Sequence, residues 1–438
     1  MPGARPGPRP TGWRDPDGYR AYLVAVPAGC LVGLVGGAFR WCLARAAELR
    51  GTVLEAAAGL GGLRWLIPMA LAAAGAAAAC LIAGRVPHAA GSGIQHVEAV
   101  WREEADPRSR SPWLLPAKFL GGLLAIGSGL VLGREGPIVH MGASIGAEAG
   151  RLTRLAAADA RRLHTALGGA GLATAFTAPL GGLLFVCEEV TRTVRPRLVL
   201  LTLIGTASAL AVSRFLVGDA PVFPVPGARL PPVWTLPLFL LFGAAAGALG
   251  AAYSGLVVGM LAVGDRLTRV PPVARAALIG AVVGLLMAYD PLLGGGGDPL
   301  SEGLLAGASP AVAVLAGYLA VRFLAGPLSY AAATPGGLFA PLLAVGALWG
   351  ALAHAVTAPL LPADPIGPGA FAAVGMAALF AGVVRAPLTG VVLVVEMTGA
   401  TALVLPLLVA CFAAVLTADR LESEPIYDSL RRRMLERP

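Results

Sequence analysis

The stretch Gly133-Arg134-Glu135-Gly136-Pro137-Ile138-Val139-His140-Met141-Gly142-Ala143-Ser144-Ile145-Gly146 breaks a long apolar run with two charges, several glycines and a proline. Its skeleton, G-x3-P-x4-G-x3-G, returns at Gly337, Pro341, Gly346 and Gly350, every position displaced by 204. A second motif recurs at nearly the same distance. Ala178-Pro179-Leu180-x-Gly182-x5-Glu188 comes back as Ala386-Pro387-Leu388-x-Gly390-x5-Glu396, displaced by 208. Two matched blocks at almost one displacement describe a chain built from two halves of similar design. Internal repeats with broken helices mark transporters, whose solute site lies where the repeats meet.

Composition sets the surroundings. Of 438 residues, 57% are hydrophobic and 13% charged, and the mean hydropathy is +0.76. A disordered chain has the opposite balance, a collagen-like chain has a strict glycine period, and a soluble domain carries roughly 25% charged residues. The chain is therefore expected to be an all-α polytopic membrane protein. Taking ~20 residues per span, clear apolar segments run near 21–45, 64–84, 196–217, 235–262, 272–290, 308–325 and 401–418. Four others, 117–150, 166–190, 334–356 and 369–396, are interrupted from within by glycine and proline. Lipid tolerates such breaks only where protein or a water-filled cavity satisfies the freed backbone. The expected organisation is an N-terminal cytoplasmic segment 1–19, a first half 20–217, a second half 218–418 and a C-terminal cytoplasmic-side helix 419–438.

The net charge of +8 is almost all arginine, and Lys118 is the single lysine. Arginines punctuate the apolar runs at 151, 154, 161, 162, 192, 195, 197 and 431–433, which suits topology and lipid headgroups better than nucleic acid. Both termini are basic and are placed in the cytoplasm. Residues 1–19 lack the apolar core of a signal peptide. The five cysteines form no CxxC pair, and the five histidines show no metal-ligand spacing. Neither a disulfide framework, a metal site nor an organic cofactor is expected.

Chemistry is expected at the breaks. Pro137 suits a first helical turn, where its missing N–H costs nothing. The glycines before it expose amides, and a helix start with free amides attracts anions. Glu135 is then a carboxylate where an anion would bind, able to occupy that place and to leave it when protonated. An acid inside a membrane is a functional candidate by default. The matching break, Pro335-Gly336-Gly337-Leu338-Phe339-Ala340-Pro341, offers the same backbone without a charge: either the amides of Leu338 and Phe339 face the same anion from the other half, or the glycines are a hinge that packs helices closely. In Gly91-Ser92-Gly93-Ile94-Gln95, Ser92 and Gln95 fit a capping box, S-x-x-Q. A hydroxyl there can also donate to an anion.

Glu188 and Glu189 point ~100° apart on a helix and cannot share one task. Glu188 has a counterpart in Glu396, which suggests a shared structural role. Glu189 aligns with Met397 and is the better candidate for a proton relay. Lys118 either answers a need for ammonium geometry or is a chance survivor among arginines. Tyr427, after Glu424-Pro425-Ile426, means little by itself.

Together, Gly91-Ser92-Gly93-Ile94, Gly133-Arg134-Glu135-Gly136-Pro137, Gly337-Leu338-Phe339-Ala340-Pro341 and Pro425-Ile426-Tyr427 resemble, in order and over nearly the whole chain, the signatures of the CLC family of chloride channels and proton-coupled chloride antiporters. The resemblance implies two inverted structural repeats of short, tilted and broken helices, and a homodimer with one anion pore per subunit in a bacterial inner membrane. It implies chloride held by the hydroxyls of Ser92 and Tyr427 and by the amides of Leu338 and Phe339, with Arg134 and Gly136 at the same helix start. Pro137, Gly337, Pro341, Glu188, Glu396 and Lys118 then serve structure. Glu135 matches the family's external gating glutamate and Glu189 its internal proton-transfer acid. Channel members usually lack that second acid, so exchange of chloride for protons is favoured over a gated passive channel.

Three departures stand out. Gln95 replaces a proline usual after the first signature. Ala332-Ala333-Thr334 replaces the more typical Ser-Gly-x. The chain continues eleven residues past Tyr427, too few for the regulatory domains of larger members. Ser92 and Pro137 argue against the fluoride-exporting branch. An intramembrane serine hydrolase using Ser92 with His88 or His96 lacks a nucleophile elbow and an acid to orient the base.

Overall fold

The computed structural model describes residues 16–436 apart from 60, 87, 108–112, 219–221, 224, 226–229 and 361–365. Among these residues the chain is helical, and extended pairing is confined to two single-residue bridges. The first half comprises α1 (Pro16–Ala58), α2 (Leu66–Arg85), α3 (Ile94–Trp101), α4 (Leu114–Gly127), α5 (Glu135–Leu152), α6 (Ala157–Phe176), α7 (Pro179–Phe185) and α8 (Pro196–Val217). A π turn at Val186–Val190 continues α7. The second half repeats the order as α9 (Leu236–Arg266), α10 (Pro272–Tyr289), α11 (Asp298–Leu305), α12 (Val312–Tyr330), α13 (Phe339–Thr357), α14 (Pro368–Val384), α15 (Pro387–Thr398) and α16 (Val404–Arg420). A last helix, α17 (Ile426–Leu435), has no partner in the repeat.

Eight helices among the described residues are long and apolar enough to cross a membrane, and α4, α14 and α15 are shorter apolar ones. Two boundaries differ from the sequence reading. Helix α1 already starts at Pro16 and runs 43 residues straight through Pro27, so it begins inside the segment allotted to 1–19, of which residues 1–15 lie outside the described part. The break expected within 334–356 instead precedes α13, because Thr334, Gly336 and Gly337 pair with other loops and the helix starts only at Phe339. Only residues 16–19 and 419–436 of the two terminal segments are described.

The glycines of the repeated skeleton explain how the interior closes. Gly142 and Gly146 lie one turn apart on α5, and Gly346 and Gly350 lie likewise on α13, so each pair shares a helix face. A Cβ at these positions would stand 2.4 and 2.7 Å from the carbonyl oxygens of Leu167 and Leu163 on α6, and 2.5 and 2.0 Å from those of Gly375 and Phe371 on α14. Without side chains the backbones touch. Close packing of this kind holds helices together in lipid, where hydrophobicity alone does not. The inner layer α5, α6, α13 and α14 is buried along most of its length. Outer helices instead turn apolar side chains such as Leu241, Leu278, Leu324 and Leu416 outward, as expected of a multi-pass integral membrane protein.

Candidate anion and proton site

Three chain segments are stitched together at the centre. Gly133 and Gly337 exchange both backbone hydrogen bonds, at 2.7 and 2.8 Å, as an antiparallel bridge. Gly91 donates to the Thr334 carbonyl at 2.9 Å and accepts from the Gly336 amide at 3.2 Å. From these segments start α3, α5 and α13, so three sets of first-turn amides, which no helix can satisfy internally, converge. Gly337 lies close against the other half: a Cβ there would meet the Gly136 amide nitrogen at 3.1 Å.

Glu135 is the first residue of α5 and is fully buried. Its carboxylate folds over its own chain, with Oε2 2.1 Å from where a Gly133 Cβ would be. The same oxygen accepts from the Ala340 amide of α13 at 3.4 Å. A carboxylate of the first half therefore lies across the helix start of the second half. Pro137 and Pro341 occupy the first turns of α5 and α13. Leu338 caps α13, and Phe339 is wedged among Phe176, Phe185 and Phe380. The Arg134 guanidinium turns away to Asp298 at 3.1 Å, so what Arg134 can offer the centre is its main chain. Beside it, a cavity of about 230 Å³ lined by Arg50, Arg134, Glu135 and the Gly294–Asp298 loop reaches Glu135.

Ser92 is fully buried, and its hydroxyl has no hydrogen-bond partner in the protein. It packs against Gly136, where a Cβ would stand 2.3 Å from Oγ. The capping box does not form. Gly93, in the left-handed region at φ 90°, takes the N-cap position, and Gln95 accepts from the Gly93 amide at 3.1 Å. The left-handed turn carries Ser92 past the helix end and frees its hydroxyl. Lys118, also fully buried, donates to the carbonyls of Gly91 at 2.8 Å and Ser92 at 3.2 Å, fixing this loop. Tyr427 is buried on α17, within electrostatic reach of Tyr330, Glu135, Glu189 and Glu98.

The two glutamates of the π turn part company. Glu188 accepts from the amides of Leu388 at 3.1 Å and Thr389 at 2.6 Å, capping α15. Glu396 accepts from the amides of Leu180 at 3.0 Å and Gly181 at 2.7 Å, capping α7. Each half thus closes a helix start of the other. Glu189 is buried and faces Glu98 of α3, also buried. From Glu98 the way leads to Arg431 at 3.8 Å and to an ion cluster in which Asp428 meets Arg102 at 3.3 Å, Arg431 at 3.0 Å and Arg192. Burial raises the Asp428 carboxyl, but the hydrogen bonds from Arg192 and Arg431 outweigh it and hold the group below its usual range.

Sequence reasoning missed three members of this site. Glu98 sits in an unremarkable amphipathic helix, Ile94–Trp101, and only the packing of α3 on the π turn reveals it. Tyr330 accepts from the Ser92 amide at 3.4 Å and carries no motif. Arg322 was readable: it stands 204 positions after Lys118, is also fully buried, and donates to the carbonyls of Leu292, Gly294 and Gly295 at 2.7, 3.1 and 2.8 Å.

Comparison with known proteins agrees with this geometry. Residues 74–419 match the family described as voltage gated chloride channel. The H(+)/Cl(-) exchange transporter ClcA of Vibrio parahaemolyticus is 37% identical over 428 residues, 95% of this chain and 90% of that protein. Its namesake from Cronobacter sakazakii is 36% identical over 433 residues, 96% and 91% of the two chains. Among solved structures, a slow cyanobacterial Cl-/H+ antiporter superposes with a TM-score of 0.90 at 28% identity, covering 95% of this chain and 98% of that one. A CLC-type fluoride/proton antiporter shares the fold, with a TM-score of 0.75 at 21% identity over 93% and 97% of the chains. The repeated breaks, the crossed carboxylate and these likenesses make the chain a member of the voltage-gated chloride channel, or CLC, family.

Proposed function

We propose that the protein exchanges chloride for protons across a bacterial inner membrane, as a homodimer with one pore per subunit and both termini in the cytoplasm. The observation that carries this is the carboxylate of Glu135 lying across the start of α13, against the Ala340 amide. Ionised, it takes the place of an anion. Protonated, it loses its hold on the amides and yields to chloride. One group thereby responds to both ions, which is what coupling requires. Chloride is the only non-protein component this scheme uses.

In this reading Ser92 and Tyr427 present hydroxyls to the central chloride, and the first-turn amides of Leu338 and Phe339 complete its shell, with the helix-start amides of Arg134 and Gly136 facing Glu135. Lys118 holds the Ser92 loop in place. Glu189 brings protons from the Asp428–Arg431 surface by way of Glu98. The curated relatives named H(+)/Cl(-) exchange transporters support exchange over a passive channel. The test is to measure chloride and proton flux together in proteoliposomes, with a pH gradient imposed. Exchange shifts the reversal potential with the proton gradient. A reversal potential that follows chloride alone makes the protein a channel.

A further inference from the structure

Four of the five histidines come together in the first half, though their sequence positions give no hint of it. The rings of His88 and His96 lie 4.8 Å apart, those of His96 and His140 5.0 Å, and those of His96 and His164 6.5 Å. His88 is exposed, whereas His96, His140 and His164 are 3%, 1% and 1% exposed. Nδ1 of His96, both nitrogens of His140 and Nδ1 of His164 have no hydrogen-bond partner in the protein. A buried imidazole left unpaired is costly, and one side chain of this kind would be a packing accident. Three in contact with an exposed fourth form a connected file. No group of three or more His, Cys, Asp or Glu among the described residues could hold a metal ion, so the file is not a metal cage.

Its two ends give it a direction. With α1 and α2 each crossing once, His88 lies in the loop before α3, on the side from which the chain starts. At the inner end, the His140 ring packs on Gly93, where a Cβ would stand 2.3 Å from Nδ1. His140 follows Gly136 by one turn of α5, and Gly136 touches the Ser92 hydroxyl. The file therefore ends behind the proposed anion position. Glu98 is two residues from His96 on α3, about 200° around the helix, so α3 separates the histidines from the Glu189 route. Lys118, Asp106 and His164 are the other charged or titratable groups within electrostatic reach of His96.

We propose that His88, His96 and His140 form a second proton route, from the surface on the N-terminal side to the anion-binding centre, with His164 as a side branch. Chains of histidine serve as proton relays in membrane proteins. A neutral imidazole takes a proton at one nitrogen and releases the proton of the other to the next ring, directly or through one water. Each transfer makes one N–H bond and breaks another, moves no electrons, and leaves the ring in its other tautomer, which ring rotation resets. The route rests on the exchange reading.

The experiment measures proton and chloride flux together in proteoliposomes for the wild type, His96→Phe, His88→Ala, Glu189→Gln and Glu189→Gln/His96→Phe. A structural defect lowers both fluxes and leaves their ratio alone, whereas a lost relay lowers the ratio. His96→Phe and His88→Ala should lower the proton-to-chloride ratio, and imidazole added on the His88 side should restore it in His88→Ala. The double variant should fall below Glu189→Gln on the order of tenfold, less than the ~100-fold or more that a lost acid–base group costs, because the file is the second of two routes. The wild-type ratio in either single histidine variant overturns the route. If His96→Phe inserts without chloride flux, exposed His88→Ala and its rescue decide. A wild type that moves no protons overturns the exchange reading and the route with it, while a coupled wild type with unaffected histidine variants overturns the route alone.

Discussion

Lys118 and Arg322 stand 204 positions apart, and each is a fully buried cation gripping the carbonyls of a glycine loop that leads into an eight-residue helix. The loops match in backbone detail. Gly91 and Gly295 have φ 67° and 65°, and Gly93 and Gly297 have φ 90° and 100°. Side chains at the equivalent positions do not match. Ser92 corresponds to Gly296, His96 to Leu300, Glu135 to Phe339, and His140 to Ala344. The duplicated scaffold makes two equivalent loops and several helix starts, and by itself it treats the two sides of the membrane alike. In the proposed scheme, direction and proton chemistry therefore come from side chains of the first half that have no equivalent in the second.

The largest effect should follow from removing that asymmetry at its centre. Glu135→Ala should abolish proton coupling while chloride still moves, read as a reversal potential blind to the pH gradient. Coupling that survives would mean Glu135 is not the shared group. Glu189→Gln should slow proton movement more than chloride movement, by up to the ~100-fold typical of a lost acid–base group, with a remainder carried by the histidines. Equal slowing of both fluxes would make Glu189 structural.

The buried cations test the scaffold itself. Lys118→Met strands the Ser92 carbonyl, since Gly91 keeps the Gly336 amide, and Arg322→Met strands three, each orphaned acceptor costing about 1–3 kcal/mol, so both should lower the melting temperature in detergent. Only Lys118→Met should also weaken chloride binding by calorimetry, because only its loop carries Ser92. Equal binding losses would show the second loop to be part of the site. The reciprocal caps should give a smaller and symmetric effect. Glu188→Gln and Glu396→Gln should each cost roughly 1 kcal/mol, and a large inequality in their melting shifts would show that one glutamate does more than cap.

The smallest effect concerns α17. Asp428 titrates below its ordinary value of 3.8 in the folded protein. Its contribution is therefore complete at neutral pH and fades only as pH drops beneath that value. Proteolysis of α17 should stay flat from pH 7 to pH 5 in the wild type, and Asp428→Asn should raise it throughout. An increase already at pH 5 would point to a group other than Asp428.

Much of the fold was legible because glycine and proline carry backbone information in their identity. The breaks at Gly133–Pro137 and Gly337–Pro341 and the Glu188–Glu396 correspondence could be read from spacing. Arg322 escaped because its partner in the repeat is a different cation, although the displacement alone would have found it. Glu98 and the histidines were out of reach for a different reason: they belong to surfaces made when α3 docks on α5, α6 and the π turn. Gln95 misled because Gly93 enters the left-handed region and takes over the cap.

The exchanged caps of α7 and α15 also govern how the chain is made. The amides of Leu180 and Gly181 close on Glu396, up to 216 positions downstream. While the ribosome is still threading the second half into the bilayer, the first half waits with an open helix end. Only synthesis past Glu396 can seal it, so a translation product truncated before that residue keeps the two amides of α7 uncapped.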